Sequence, residues 1–135
     1  MSEIKLEIIT PEKVIFEGTV DSITVPGTKG GFQVLKDHAP LMSTIDIGVI
    51  TVKKNGDTTY FTTAGGTIEV LDNKVLVLAD STELISDIDV DRAEQAKQRA
   101  EERLKRKKEE EIDTLRAELA LKRALNRLGA KEKYM

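Results

Sequence analysis

All seven arginines of this 135-residue chain lie after residue 87, and four of them are spaced so that they could hold an anion. Arg92 and Arg99 are two helical turns apart, and Arg123 and Arg127 are one turn apart, so each pair would share one face of a helix. If the two helices ran antiparallel, the pairs would meet. Guanidinium groups bind phosphate oxygens through forked hydrogen bonds, and a polyphosphate would relieve their mutual repulsion. The spacing therefore indicates a polyphosphate site.

The same arginines also have a plainer interpretation. They could lie in solvent, or they could pair with nearby carboxylates, for which the candidates are Asp89, Glu94 and Glu83. Residues 88–135 carry 14 Lys or Arg against 11 acids, a net +3, whereas residues 1–87 carry 7 Lys against 13 acids, a net −6. A basic arm on an acidic body would suit phosphates, nucleic acid or an acidic protein surface, and it is also typical of a solvated helix.

Residues 88–135 predict the two helices that such a site needs. They contain no Gly or Pro before Gly129, which we expect to end the second helix. Asp89 is a predicted N-cap for a first helix that begins near Val90, and the second helix is expected to begin near Asp113. Alanine dominates the apolar positions, and alanine stripes let helices approach closely. An antiparallel hairpin with its tip near residues 107–110 is therefore predicted.

The predicted tip contains no turn residue. Residues 105–111 are all Lys, Arg or Glu, and opposite charges recur four residues apart in five pairs between Glu101 and Glu111. At about 0.2–0.5 kcal/mol per pair, these pairs would favour one continuous helix by roughly 1–2.5 kcal/mol, which is comparable with burying a few alanines in the hairpin. The arm is therefore predicted to have two competing forms that a ligand could bias.

Residues 1–87 predict antiparallel β-structure. Short runs alternate apolar and polar residues, and Asn55-Gly56 is a strong hairpin signal because both turn positions favour positive φ. No helical segment intervenes, so we expect two packed sheets of four or five strands each. The glycines at 26–31 are expected to form a turn, and those at 64–66 a bulge or a sheet corner.

The composition excludes several classes of site. The chain has no cysteine, so disulfides and thiolate metal ligands are ruled out, and its one histidine, His38, is too few for the usual zinc geometries. His38 also lacks a serine or cysteine partner, which makes it a non-catalytic loop residue. The sequence shows neither a signal peptide nor an apolar run of about 20 residues. We expect a cytosolic protein, or one held at a membrane through partners.

Five segments of the chain resemble the epsilon subunit of bacterial rotary ATP synthases, and together they span its whole length. They are residues 7–11, 38–41, 65–70, 88–93 (Ile-Asp-Val-Asp-Arg-Ala) and 116–128. The resemblance implies an α+β fold, with an N-terminal antiparallel β-sandwich of about ten strands followed by a C-terminal two-helix antiparallel hairpin. Residues 1–87 would form the sandwich domain, which binds the rotor stalk, and residues 88–135 the mobile regulatory domain.

The resemblance also implies a regulatory, non-catalytic function. In this family the helical domain inhibits ATP hydrolysis when it extends, and Bacillus-like members bind ATP in the folded form. The residues that match the family's ATP site are Glu83, Ile88, Asp89, Arg92, Ala93, Arg99, Arg123 and Arg127. The chain offers no Walker lysine, metal-binding carboxylate pair or positioned base, so we expect ATP to be bound and not cleaved. Whether Mg²⁺ accompanies ATP is left open.

The implied partners are the gamma subunit and the c-subunit ring, which the β domain binds, and the catalytic beta subunits, which the arm meets. His38 is expected to contact the rotor, whereas Arg116, Lys122 and Arg123 are expected to contact acidic segments of the beta subunits. The implied location is the cytoplasmic face of the cell membrane, as a peripheral subunit of a proton- or sodium-translocating synthase. No direct insertion into the membrane is expected.

Two other functions remain open at this point. A purely structural rotor-coupling subunit, with a vestigial nucleotide site, would have the same fold and the same partners. An arm that binds nucleic acid is disfavoured, because Tyr134 is the only aromatic residue after residue 87 and the basic residues alternate with acids.

Overall fold

The computed structural model describes residues 3–106 and 114–134, and the chain divides into two compact units, Met1–Leu84 and Ile85–Met135. The first unit is made of strands and the second of helices. The predicted α+β class, with a β-domain followed by two helices, is confirmed.

The first unit contains eight strands in its described part, where about ten were expected. They are β1 (Ile4–Ile9), β2 (Val14–Val20), β3 (Ser22–Val25), β4 (Phe32–Val34), β5 (Leu41–Lys54), β6 (Asp57–Leu71), β7 (Lys74–Ala79) and β8 (Thr82–Leu84). The lower number arises because β5 and β6 are continuous over 14 and 15 residues. The strand β6 runs through the glycines at 64–66, where the sequence predicts a bulge or a sheet corner.

The strands form one continuous sheet in the order β2-β1-β7-β6-β5-β3-β4, with β8 also paired to β6. The strand pairs are antiparallel except β1 with β7, which is parallel, so the expectation of purely antiparallel structure was wrong for that pair. The Phe16 and Phe61 rings meet edge to face with centroids 6.3 Å apart, although β2 and β6 are not neighbours in the sheet. The sheet therefore folds over on itself and encloses the core between two layers.

The bend in β6 lies at its adjacent glycines, as the sequence suggested. Gly65 and Gly66 have φ of 106° and 154°, which a residue with a Cβ rarely adopts. A Cβ on Gly66 would also collide with the Leu78 carbonyl oxygen and lie 2.8 Å from the Ala79 Cα. Glycine is required because the backbone of β7 passes this close to the corner.

Two predicted turns are also confirmed. Asn55 and Gly56 have φ of 51° and 83° and join Lys54 to Asp57 in a two-residue hairpin loop. The glycines at 26–31 form a turn closed by a hydrogen bond of 3.0 Å from the Gly30 N–H to the Gly27 carbonyl oxygen. No helix begins after that turn, so it is not a phosphate-binding loop.

The second unit consists of a 3-10 turn, Ile85–Asp87, followed by α1 (Val90–Lys105) and α2 (Thr114–Tyr134). One groove between the helices is lined by residues 96–103 and 117–120, and another by residues 90–97 and 125–132. The start of α1 therefore lies beside the end of α2, which makes the pair antiparallel. The predicted tip at 107–110 and the predicted start at Asp113 lie outside the described residues.

The charged pairs expected near the tip contribute little to α1. Arg106 Nη1 lies 3.5 Å from Glu102 Oε1, but both side chains are exposed, and such pairs contribute about 0–1 kcal/mol. No ion pair joins Glu101 to Lys105 in the described part of the chain. The remaining predicted pairs extend beyond the described residues.

Gly129 does not end α2, so that prediction was wrong. The helix continues through Gly129 to Tyr134, and Gly129 does not adopt the positive φ of a C-terminal cap. Glycine inside a helix costs about 1 kcal/mol relative to alanine. Two contacts beyond it offset this cost: Ala130 is buried, and the Lys131 ammonium donates hydrogen bonds to the 3-10 turn.

Gly129→Ala should raise the free energy of unfolding by up to about 1 kcal/mol, because it removes the entropic cost of glycine within a helix. An added Cβ would have no atom within 4 Å. The measurement is thermal unfolding followed by the helical circular dichroism signal. If the helix instead ended at Gly129 with positive φ, Gly129→Ala would lower the free energy of unfolding, because alanine would be strained there.

Candidate functional site

The segment 88–93 folds as the entry to α1. Asp89 is the N-cap, and its Oδ1 accepts a hydrogen bond of 3.1 Å from the Arg92 backbone N–H. Ile88 and Ala93 are buried, whereas the Arg92 side chain is exposed. The motif therefore fixes the start of the helix with its apolar and acidic residues, and it leaves the guanidinium available for a ligand.

Each helix carries a row of arginines. Arg92, Arg99 and Arg103 lie within about 40° of one another around α1, and so do the arginines of α2 around their own axis. The α2 row consists of Arg116, Arg123 and Arg127. All six are exposed except Arg127, which is half-buried. The described arginines of the two helices are thus concentrated on one face of each, and Arg106, the C-cap of α1, follows Arg99 by seven residues at the end of the same face.

Helical spacing places the α2 row next to Ala120, which borders the same side of the hairpin as Arg99 and Arg103 of the α1 row. A hollow of about 120 Å³ opens on this side, and its lining residues are Ala96, Arg99, Ala100, Arg103, Ala117 and Ala120. The groove on the opposite side, about 580 Å³, is lined instead by the Glu94 and Lys97 side of α1 and the Leu125 and Gly129 side of α2. The antiparallel order sets Arg92 level with Arg127. The convergence of the two arginine pairs stays a prediction, because the α2 residues that line the hollow are Ala117 and Ala120.

Two of the acids that could neutralise these arginines are engaged elsewhere. Asp89 caps the backbone of α1, and Glu94 pairs with Lys97 at 3.9 Å. Within residues 3–106 and 114–134, no ion pair of Arg92, Arg99 or Arg123 is present. Glu83 lies in β8 of the first unit, opposite Thr62. Arg92, Arg99 and Arg123 are thus the arginines of the two rows that have no ion pair within the described residues.

This side of the hairpin fits the phosphates of a nucleotide better than it fits a whole nucleotide. Exposed guanidinium groups supply the donors, and the alanines leave space between the helices. Enclosed ligand pockets are usually about 300–1,000 Å³, well above the 120 Å³ of this hollow.

Other chemistry has less support in the described part of the chain. Residues 3–106 and 114–134 contain no cluster of three or more His, Cys, Asp or Glu that could hold a metal ion. Neither described helix is long and apolar enough to cross a membrane.

His38 lies in the loop between β4 and β5, as expected. Its Nδ1 is 2.7 Å from the Ala39 carbonyl oxygen, so the imidazole is held by its own loop. The adjacent Asp37 N–H donates a hydrogen bond of 2.6 Å to Asn73 Oδ1, and the Asn73 amide donates back to Asp37 Oδ1 at 3.2 Å. This reciprocal bond anchors the loop to the β6–β7 turn.

The three cations expected to meet the beta subunits are all exposed on α2, but they do not share one face. Arg116 and Arg123 are two turns apart on one side, whereas Lys122 points about 100° away from Arg123. A partner that contacted all three would therefore have to wrap around the helix.

Two residues of the second unit were not singled out from the sequence. Arg103 follows Arg99 by one turn and lines the same hollow, so its i,i+4 spacing could have identified it. Lys131 binds the carbonyl oxygens of Ile85 and Ser86, and no sequence signal indicates this contact, because its partners are 45 or more residues away.

Comparison with known families covers both units. Residues 3–85 match the model of the ATP synthase delta/epsilon chain β-sandwich domain, and residues 86–132 match that of its long α-helix domain. The chain belongs to the ATP synthase delta/epsilon chain family. Members named ATP synthase epsilon chain include that of Desulforamulus reducens, 44% identical over 95% of this chain and 96% of its own length. The epsilon chain of Nitratidesulfovibrio vulgaris is 49% identical over 91% of each chain.

A further epsilon chain, from Halalkalibacterium halodurans, is 41% identical over 95% of this chain and 96% of its own length. The fold also occurs in a chain of the Euglena gracilis mitochondrial ATP synthase, which was determined as an OSCP/F1/c-ring assembly. The TM-score is 0.80 at 22% identity, over 95% of this chain and 81% of that one. Epsilon family membership thus rests on the whole length of the sequence, and the structural likeness confirms the fold.

Proposed function

We propose that this chain is the central-stalk epsilon subunit of a proton- or sodium-translocating ATP synthase, and that its helical unit regulates ATP hydrolysis. In the folded form the hairpin binds ATP, which is not cleaved, and in the extended form the helices inhibit the catalytic head. The observation that carries the nucleotide part is the placement of two arginine rows on one side of the hairpin, among them three guanidinium groups without a carboxylate partner in the described residues.

The energetics explain how ATP would act as the switch. Burying alanines between α1 and α2 stabilises the hairpin only modestly, and the arginine rows repel each other. A ligand that binds the hairpin alone stabilises it by RT ln(1 + [L]/Kd), about 2.7 kcal/mol at a hundredfold excess over Kd. That exceeds the roughly 1–2.5 kcal/mol expected from charged pairs in a continuous helix. ATP at such concentrations would therefore keep the arm folded.

The proposed partners follow from the family and from the division of charge. The β unit binds the gamma subunit and the c-subunit ring, with the His38 loop as part of the rotor contact. The extended arm meets acidic segments of the catalytic beta subunits through Arg116, Lys122 and Arg123. The net −6 of residues 1–87 and the net +3 of residues 88–135 support separate partners for the two units. The subunit would be peripheral, on the cytoplasmic face of the membrane.

The proposed nucleotide site uses Ile88, Asp89 and Ala93 to build the start of α1, and arginines to bind phosphates. Those arginines are Arg92, Arg99, Arg123 and Arg127, and Glu83 is the contact proposed from the β unit. The arginine rows can neutralise the phosphate charge on their own. Mg²⁺ is therefore proposed as an optional companion of ATP and not as a requirement.

Isothermal titration calorimetry of the full chain tests the nucleotide part. ATP should bind at least about tenfold more tightly than ADP, because the γ-phosphate adds charge within reach of several guanidinium groups. Titrations with and without Mg²⁺ would show whether the cation is needed. Equal affinities for ATP and ADP, or no heat from either at millimolar concentration, would contradict the proposed nucleotide site.

A purely structural rotor-coupling subunit is the second candidate, and one observation favours it. Ile88, Asp89 and Ala93 all have sufficient structural reasons to be present, since they are buried or cap α1 without any ligand. In that case the motif would persist as a helix start and the nucleotide site would be vestigial. The same calorimetry separates the two candidates.

A further inference from the structure

The end of α2 is tied to the segment that precedes the 88–93 motif. Lys131 Nζ donates hydrogen bonds to the Ile85 carbonyl oxygen at 3.2 Å and to the Ser86 carbonyl oxygen at 3.4 Å. The Ile85 carbonyl oxygen also accepts a hydrogen bond of 3.2 Å from the Ile88 N–H. One carbonyl group therefore joins the last turn of α2 to the residue that opens the motif.

The surroundings of this contact make it more than a surface hydrogen bond. Ile85, Ile88 and Ala130 are buried, and Lys131 is half-buried among them. The contact requires α2 to continue past Gly129, which costs about 1 kcal/mol of helix stability relative to alanine. A cation in the last turn also interacts favourably with the helix dipole. Gly129 thus lowers the stability of α2, yet the helix continues through it and brings the Lys131 ammonium to the carbonyl groups of the 3-10 turn.

We propose that Lys131 is a positioning residue for the nucleotide site. It acts through the 85–88 segment: by holding the Ile85 and Ser86 carbonyl groups, it fixes Ile88 and Asp89 against the end of α2, and so sets Arg92 level with Arg127. The proposal rests on the proposed ATP site and adds a residue that does not itself contact ATP. In an extended arm α2 leaves the start of α1, and both hydrogen bonds are lost.

Removing the Lys131 ammonium should lower the affinity for ATP, although every arginine that is proposed to bind the phosphates is still present. A site that exists only in the hairpin has an apparent Kd equal to the intrinsic Kd divided by the hairpin fraction. Removing the tether lowers that fraction. We expect Lys131→Met to weaken ATP binding by about three- to tenfold, less than the loss of a fully buried charged hydrogen bond would cause, because Lys131 is partly solvated.

Three variants of the full chain test this. Lys131→Met keeps the aliphatic part of the side chain and removes the hydrogen-bond donors, whereas Lys131→Arg keeps donors at this position. Lys133→Met is the control: it makes the same change in net charge at an exposed neighbour, whose ammonium lies over the Tyr134 ring. Hydrogen exchange without nucleotide reports the tether, and calorimetry with ATP reports the coupling. In Lys131→Met alone, we expect faster hydrogen exchange at residues 128–134 and at the Ile88 amide, with exchange in β1 to β7 unchanged. In Lys131→Arg, we expect the affinity for ATP to recover.

Each other outcome overturns a distinct claim. Unchanged exchange in Lys131→Met would mean that the hydrogen bonds do not hold the end of α2. Faster exchange with unchanged ATP affinity would mean that the tether exists but does not position the site. Equal weakening in Lys133→Met would assign the effect to net charge. If the unmodified chain binds no ATP while the exchange result holds, the proposed ATP site fails and Lys131 is a purely structural tether.

Discussion

Replacing Arg99 and Arg123 together by alanine should lower the affinity for ATP by at least about a hundredfold, since each charged hydrogen bond to a phosphate contributes about 1.5–3 kcal/mol. The two arginines lie on different helices, so the double variant removes one donor from each helix, and Arg99 is the one that lines the hollow. Both are exposed and have no ion pair within the described residues, and the fold should therefore be retained. Calorimetry with ATP is the measurement.

A matched control is available on the opposite side of the hairpin. Lys97→Ala with Lys133→Ala makes the same change in net charge, but Lys97 lines the other groove and pairs with Glu94. This pair should leave ATP affinity within about threefold of the parent, since it removes only long-range attraction. Equal loss in both double variants would show that net charge, and not the arginine-lined side, determines binding.

Asp89 is a poorer test residue than its place in the motif suggests. Its carboxylate caps α1, and removal of such a cap costs about 1 kcal/mol of helix stability. A loss of ATP binding in Asp89→Ala would thus mix a weaker helix with a lost ligand contact. Ile88 and Ala93 share this difficulty because both are buried. Arg92, Arg99 and Arg123 are better test residues, because they are exposed and have no ion pair within the described residues.

The features that could be predicted from the sequence are those that depend on residues close together along the chain. The N-cap at Asp89 and the turn at Asn55-Gly56 follow from local backbone preferences, and both predictions are confirmed. The arginine rows follow from helical periodicity. The parallel pairing of β1 with β7 could not be predicted in this way, because it joins residues about 70 positions apart and no local signal encodes it.

Gly129 shows at one position why a prediction from local sequence can fail. Its local rule, that glycine ends a helix, is correct on average, but it was overridden by the burial of Ala130 and the hydrogen bonds of Lys131. Those contacts join the end of α2 to residues before α1. A local rule fails where a tertiary contact of comparable energy opposes it, and here both terms are on the order of 1 kcal/mol.

The composition of the helix contact is consistent with an arm that opens. The residues buried in α1 and α2 are alanines, whereas Leu115, Leu119 and Leu125 are exposed. Alanine burial contributes far less than leucine burial, at about 25 cal/mol per Å² of apolar surface. A hairpin meant to stay closed would place its leucines inside. The exposed leucines on α2 would be available to a partner in the proposed extended form.

Deletion of residues 88–135 should raise ATP hydrolysis severalfold in the assembled synthase, because it removes the proposed inhibitory arm. The stalk should remain assembled, since the deletion leaves all eight strands of the first unit in place. Hydrolysis and subunit composition would be measured on the same preparation. A truncated enzyme that assembles but hydrolyses ATP no faster than the intact one would show that this arm is not the brake.

A second variant separates contact with the beta subunits from nucleotide binding. Arg116→Ala with Lys122→Ala should raise hydrolysis in the same direction as the deletion, by weakening attraction to acidic segments, and should leave ATP affinity of the isolated chain nearly unchanged. Arg123 is kept because it belongs to the proposed ATP site as well. Since Arg116 and Lys122 point to different sides of α2, each single variant should have a smaller effect than the pair if the helix is enclosed by its partner. An effect confined to one of them would instead place the beta subunits on a single face of α2.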